Sequence, residues 1–262
     1  MNLFFKRLGG FYQYRFLMGQ LVEKDIKLKY RRSFLGYLWS ILNPLLVMVI
    51  MVIVFSSMFR SDIQNFPVYL IIGQTLFGFM SESTNQAIGS ITGNAALLKK
   101  TYVPKYVFTV SKVTSSFVNT LFALGALVIV FIVCRVTVNV YYLFIPIILL
   151  QEYVFCLGLG MLLAQSSVFF RDIQYIYNAL ITAWTYLTPI FYPITLLPDT
   201  VRYLVENFNP MYFYITQFRQ IVLEGTFPDP YLIGAGCIVA IGALFIGTWA
   251  FLKTQDKFIL YI

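Results

Sequence analysis

The sequence predicts an all-α integral membrane protein with six transmembrane helices, and three observations carry that expectation. Hydrophobic residues fill 59% of the 262 positions and charged residues only 11%, against about 45–50% and about 25% in soluble domains. Mean hydropathy is +0.77. Six stretches contain no Asp, Glu, Lys or Arg: Ser33–Phe59, Ile63–Ser81, Val113–Cys134, Tyr153–Phe170, Ile173–Pro198 and Pro230–Leu252. A spanning helix needs roughly 20 mostly apolar residues, and a barrel strand would instead alternate over about ten. The runs are apolar all round, so they read as helices.

One membrane domain, residues 1–262, accounts for the length, with spans at 33–59, 66–91, 107–134, 141–170, 173–193 and 230–252. The fourth begins ahead of its charge-free run and contains Glu152. The first 32 residues are polar and basic, and the first apolar run is too long for a signal-peptide core, so no cleaved leader is expected. Charge sets the orientation. With the N-terminus inside, fifteen Lys and Arg fall on cytoplasmic segments, and only Arg60, Arg135, Arg202 and Arg219 fall outside. That asymmetry predicts both termini in the cytoplasm and assigns the net charge of +8 to topology and anionic lipid rather than nucleic acid.

Taken in order, Phe4 to Leu21 places Phe4, Leu8, Phe11 and Arg15 near helical spacing, which predicts an amphipathic helix in the inner interface. Residues 1–32 thus form a cytosolic interface region. The stretch "KDIKLKYRRSFLGYLWSILNPLL" (Lys24–Leu46) then turns without a spacer from basic to apolar. In the second span, Gly78, Glu82, Asn85, Gly89 and Gly93 step by four, three, four and four along one helix face. A carboxylate there normally faces a bundle interior or aqueous cavity; the alternative is a helix ending near Met80 and a cytosolic polar tail. "NAALLKKTYVPKYVF" (Asn94–Phe108) reads as a short amphipathic cytosolic helix before the third span.

Pro189, Pro193 and Pro198 close the fifth span, and proline removes a backbone donor and clashes with the preceding turn, so this span bends or breaks. Two short helices separated at Asn209-Pro210 follow within 194–229, the second with an apolar stripe of Met211, Ile215, Phe218 and Val222. Neither is long enough to cross a bilayer core of about 30 Å, so both read as re-entrant or interfacial on the outer side.

Catalytic patterns are absent. The chain has no GxxxxGK[ST], GxSxG, HExxH or dinucleotide fingerprint. It has no His, and Cys134, Cys156 and Cys237 are scattered through apolar runs, so no metal site is expected. This excludes an ATPase or hydrolase on this chain and leaves transport or structure.

The stretch "DIKLKYRRSFLGYLWSILNPLL" resembles the signature of type-2 ABC transporter permeases of the polysaccharide and polyol-phosphate export branch, through Asp25, Arg31, Ser33, Leu35, Gly36, Trp39 and Pro44. "LLKKTYVPKYVF", "VFFRDIQYI", "TPIFYP" and "FNPMY" match further family segments in the same order along nearly the whole chain. The resemblance implies a homodimeric permease in the bacterial inner membrane. It works with two copies of a separate nucleotide-binding subunit that carries ATP and Mg, and this chain itself binds no cofactor. The implied cargo is a lipid-linked surface glycan on an undecaprenyl carrier: O-antigen, or alternatively capsule or teichoic acid. A drug or small-lipid ABC exporter is the more remote alternative, and a secondary transporter or channel is another.

Residue roles follow from the same resemblance. Arg31, Arg32 and Lys29 are candidates for the cargo pyrophosphate at the entrance, against a plain reading as positive flank. Tyr37, Trp39, Glu82, Asn85, Tyr177, Trp184 and Tyr186 are channel-lining candidates, with core or lipid contact as the alternative for the aromatics. Leu98, Lys99, Lys100, Tyr102 and Pro104 form the implied coupling helix that docks on the ATPase. Pro189, Pro193, Asn209, Pro210 and Phe218 belong to the implied outer gate helices.

Overall fold

The computed structural model describes residues 13–59, 63, 65–100 and 103–261. Most of the amphipathic interface helix and Tyr102 lie outside these residues. Ten α-helices appear among them. Helix α1 spans Arg15–Lys29 and α2 Trp39–Phe59, with α3 at Phe66–Ile88 and α4 at Ala95–Lys100. Next come α5 (Tyr106–Val133), α6 (Ile145–Phe169) and α7 (Ile173–Leu187). The last three are α8 (Asp199–Phe208), α9 (Pro210–Arg219) and α10 (Pro230–Thr254). Every regular element described is helical, as the composition predicts.

Among the described residues, four helical stretches are long and apolar enough to cross a membrane: Gly36–Phe55, Tyr106–Val133, Val140–Phe169 and Pro230–Leu260. This is a multi-pass membrane protein. Helix α3 has 23 residues, but polar side chains fill its last two turns. Helix α7 has only 15 residues, about 22 Å at 1.5 Å per residue.

The fifth span corrects one expectation. Its helix stops at Leu187 rather than reaching 193. The physical cause is Pro189, which disfavours the α conformation of the residue before it; Thr188 is extended at φ −86°, ψ 130°. The first span also starts later than 33, because a turn at Arg32 (φ +62°) and Gly36 (φ +49°) swings the chain from α1 into α2.

Helix α3 is the hub. It packs on α2, α5, α6, α7 and α9, and it runs past Met80 to Ile88, where the carbonyl accepts a 2.7 Å hydrogen bond from Ser167 Oγ of α6. The closest helix pair is α6 with α10. A Cβ built on Gly158 would lie 2.2 Å from the Ala243 carbonyl carbon, and one on Gly247 would lie 1.9 Å from Gly158 O. The two backbones therefore touch, which only glycine allows.

The α9 stripe of Met211, Ile215, Phe218 and Val222 is buried in the core. Helix α9 starts at Pro210, with Asn209 Oδ1 accepting from Met211 N as its cap. Proline at the first helical position loses nothing, because that N–H has no helical partner anyway.

Candidate functional site

The basic helix α1 has two faces of different chemistry. Asp25 and Lys29, four residues apart, share one side of the helix. Asp25 Oδ1 pairs with Lys112 Nζ of α5 at 2.8 Å, and Lys29 Nζ pairs with Glu82 Oε1 of α3 at 2.6 Å. Opposite them, Gln20, Lys24, Lys27 and Arg31 line a shallow surface groove. The sequence groups Lys29 with Arg31 and Arg32; all three are exposed, but the structure turns Lys29 toward Glu82 at the cavity mouth and Arg31 to the opposite side of the helix.

Between α1, α2, α3 and α5 lies a polar cavity of about 530 Å³. Glu82 is its centre. Besides Lys29, Gln86 Nε2 donates to Glu82 Oε1 at 2.9 Å and Asn119 Nδ2 to Glu82 Oε2 at 3.1 Å. Three donors, one of them a cation, offset the cost of holding a carboxylate in an apolar bundle. Asn119 Oδ1 in turn accepts from Tyr30 and from Ser40 Oγ (3.3 Å), and Tyr30 also contacts Ser40. Pro44 stands inside α2 and gives no N–H to the Ser40 carbonyl one turn back.

The wall extends toward the far end of α3 through Gly78, Thr75 and Gln74. From Glu82 to Gln74 is eight residues, about 12 Å of helix. Trp39 and Asn43 of α2 also line the space.

Of the channel candidates, Trp39 and Glu82 meet at this cavity, and Tyr37 packs beside it against Tyr30, ring centroids 5.0 Å apart and the rings tilted by 57°. The others lie elsewhere. Asn85 donates along its own helix to Ser81 O, 2.9 Å. Tyr177 is buried, with its hydroxyl 2.7 Å from Thr84 Oγ1. Trp184 Nε1 donates to Asn209 Oδ1 at 2.8 Å, tying α7 to the start of α9. Tyr186 is exposed on α7.

In α4, Leu98 is buried in a cluster with Met18, Phe108, Phe251 and Phe258, while Lys99 and Lys100 point outward. Pro104 is half-buried. Lys105, next to it, donates to Gln255 O and lies over the Phe258 ring; burial pushes its ammonium pKa down, and Asp256 opposes that shift.

Among the outer candidates, Pro189 O accepts from Arg219 Nη1 at 2.8 Å, Pro193 is half-buried, and Phe218 is in the core. Sequence reading placed Arg219 among the outer charges and assigned no roles to Asp25, Lys112, Asn119 or Gln74. The i, i+4 spacing of Asp25 with Lys29, and of Gln74 with Gly78, was the signal available for two of these. Glu152 is fully buried in α6, and neither carboxylate oxygen has a hydrogen-bond partner among the described residues.

A polar cavity inside a helical membrane bundle, closed at its basic end by a charged helix, defines a membrane permease. The chain belongs to the ABC-2 type transporter family, whose model matches residues 17–223. It is similar to the O-antigen export system permease protein RfbA of Myxococcus xanthus, 31% identical over 94% of this chain and 95% of that protein. RfbA of Klebsiella pneumoniae is 29% identical over 82% of this chain and 83% of its own length. The polysialic acid transport protein KpsM of Escherichia coli is 22% identical over 95% and 97%.

Proposed function

We propose that this chain is the membrane subunit of an ATP-driven exporter that moves a lipid-linked cell-surface polysaccharide out of the cytoplasm, with O-antigen as the leading cargo. The carrying observation is the end-to-end match to an O-antigen export permease, over 94% of this chain. The polar cavity floored by α1 supports it, because a glycan needs a polar route through an apolar bundle. The match to KpsM over nearly full length keeps capsule as the second cargo.

In this reading six helices cross the inner membrane: α2, α3, α5, α6, the short α7 and α10. Both termini are cytoplasmic. Two copies form the channel and two copies of a separate subunit hydrolyse ATP with Mg. Helix α4 offers Lys99 and Lys100 outward to that subunit while Leu98 anchors it, and Tyr102 and Pro104 end the same segment. Arg31 and Arg32, both exposed, are placed to meet the pyrophosphate of an undecaprenyl-linked glycan, since the guanidinium fork matches phosphate oxygens. Helices α8 and α9, with Pro189, Pro193, Asn209, Pro210 and Phe218, make the outer gate.

The test is a chromosomal deletion complemented with a tagged copy. Surface polysaccharide should vanish and return, and an ATP-hydrolysing subunit should copurify. Unchanged surface glycan in the deletion strain would overturn the reading.

A further inference from the structure

Three properties of the Glu82 cavity call for an occupant of a particular chemistry. The first is open space beside Gly78: a Cβ built there meets nothing within 4 Å. The second is polarity: Ser40, Asn43, Gln74, Thr75 and Asn119 line the space beside the ion pair. The third is charge. Among the described residues, Lys29 is the one cation and Glu82 the one anion on the wall, and they neutralise each other at 2.6 Å.

A phosphate fits this arrangement poorly, because it would face the Glu82 carboxylate and find the lysine already paired. A metal ion would meet the Lys29 ammonium at the carboxylate it needs. A neutral polyol fits. Its hydroxyls can donate to the Glu82 carboxylate and accept from Asn119 Nδ2. Trp39 adds an aromatic surface for the apolar face of a sugar ring. The volume, about 530 Å³, falls in the roughly 300–1,000 Å³ of small-molecule sites.

We propose that the Gln74–Thr75–Gly78–Glu82 face of α3, opposite Trp39, is a subsite for one uncharged sugar unit of the transported glycan, inside each chain. The Lys29–Glu82 pair closes it toward α1, so a sugar that takes over Glu82 also loosens α1 from α3. This rests on the polysaccharide-export reading and adds the place where the glycan is held.

The experiment puts the photo-crosslinking amino acid p-benzoylphenylalanine in place of Trp39, an aromatic of comparable size on the cavity wall, in the full chain and in cells carrying its exporter partners. Position 241 serves as control, because Ile241 is 64% exposed on the outside of α10. Irradiation should give a protein–glycan adduct at 39, seen as a carbohydrate-positive ladder, and none at 241. In parallel, Gly78→Leu, a better helix former that fills the space, should lower surface glycan by at least about tenfold, the loss of one decade of binding. Gly78→Ala should stay within about twofold. Both should reach the membrane and retain the ATPase subunit at wild-type amounts.

If the deletion strain still makes surface glycan, the export reading fails. If deletion abolishes export but position 39 gives no glycan adduct, or only lipid adducts, the subsite is wrong and export stands. Normal export by Gly78→Leu would equally overturn the subsite.

Discussion

The Arg219 guanidinium lies 3.3 Å from the centroid of the Tyr69 ring and donates to the Tyr69 carbonyl, Nη2 to O at 3.0 Å. The same side chain reaches Pro189 O at 2.8 Å and Ile190 O at 3.3 Å. One arginine from α9 thus binds the start of α3 and the carbonyls freed where α7 breaks. Tyr69 completes the knot, its hydroxyl donating to Pro189 O and Tyr192 O. Irregular backbone inside a membrane protein persists only when its polar groups are satisfied internally.

Arg219→Ala therefore removes one side chain's donors from the Tyr69, Pro189 and Ile190 carbonyls, of which Pro189 O keeps the Tyr69 hydroxyl, at about 1–3 kcal/mol for each group left unsatisfied. Thermal denaturation in detergent should show a clear fall in melting temperature. Arg219→Lys should recover only part of it, because an ammonium lacks the planar fork that serves several carbonyls at once. Equal stability of Arg219→Lys and wild type would show that charge alone suffices.

The α6–α10 contact admits no side chain. Gly158→Leu and Gly247→Leu must each push the two backbones apart, since a Cβ already meets backbone atoms at 2.2 and 1.9 Å. Overpacking a fitted core costs typically about 1–3 kcal/mol, and here no flexible side chain can yield. Both variants should express at lower levels and aggregate on extraction. Gly242→Leu on the same helix, where a Cβ meets nothing within 4 Å, should behave as wild type.

Gly36 sits at φ +49° in the turn between α1 and α2 and has open space around it. The cost of Gly36→Ala is thus conformational rather than steric, about 1–2 kcal/mol for an L-residue in left-handed backbone. Gly36→Asn should be milder, since asparagine tolerates this region better. The check is export or ATPase coupling across Gly, Asn and Ala, with activity falling in that order.

Lys29 and Glu82 can be tested by exchange. Lys29→Glu alone sets two carboxylates together, and Glu82→Lys alone sets two cations together; each should loosen α1 from α3. The double exchange restores opposite charges, and coupling between contacting residues runs to about 0.5–3 kcal/mol. Cysteine cross-linking between α1 and α3 should fall in each single variant and recover in the double. No recovery would mean that the pair is incidental to the position of α1.

Reversal of Lys99 and Lys100 to Glu bears on partner docking. Both are exposed on α4 beside the buried anchor Leu98, so stability should stay within about 0.5 kcal/mol, as for most surface changes. Copurification of the ATPase subunit should fall. Undiminished copurification would remove α4 from the contact.

Much of the bundle was legible because its causes are local. Apolar runs of spanning length, the Asn209-Pro210 helix start and a break among Pro189, Pro193 and Pro198 depend on neighbouring residues alone, so the order of helices can be read directly. The residue at which α7 ends is less legible: the hydrophobic pattern runs on to 193, whereas Pro189 holds Thr188 extended and stops the helix at Leu187.

The sequence by itself determined the helical membrane class, the existence of the breaks, and the presence of a polar face around Glu82. Only the tertiary structure decided what those groups meet. Lys29 and Arg31 are two residues apart yet face opposite ways, because two residues turn a helix by about 200°. Arg219 reads as a surface charge until 150 residues of separation close and place it against the Tyr69 carbonyl. Gly78 reads as a small packing residue until α2, α5 and α1 surround it and leave it empty space. Local pattern fixes which atoms can pair; long-range packing fixes which do, because each partner sits on a different helix.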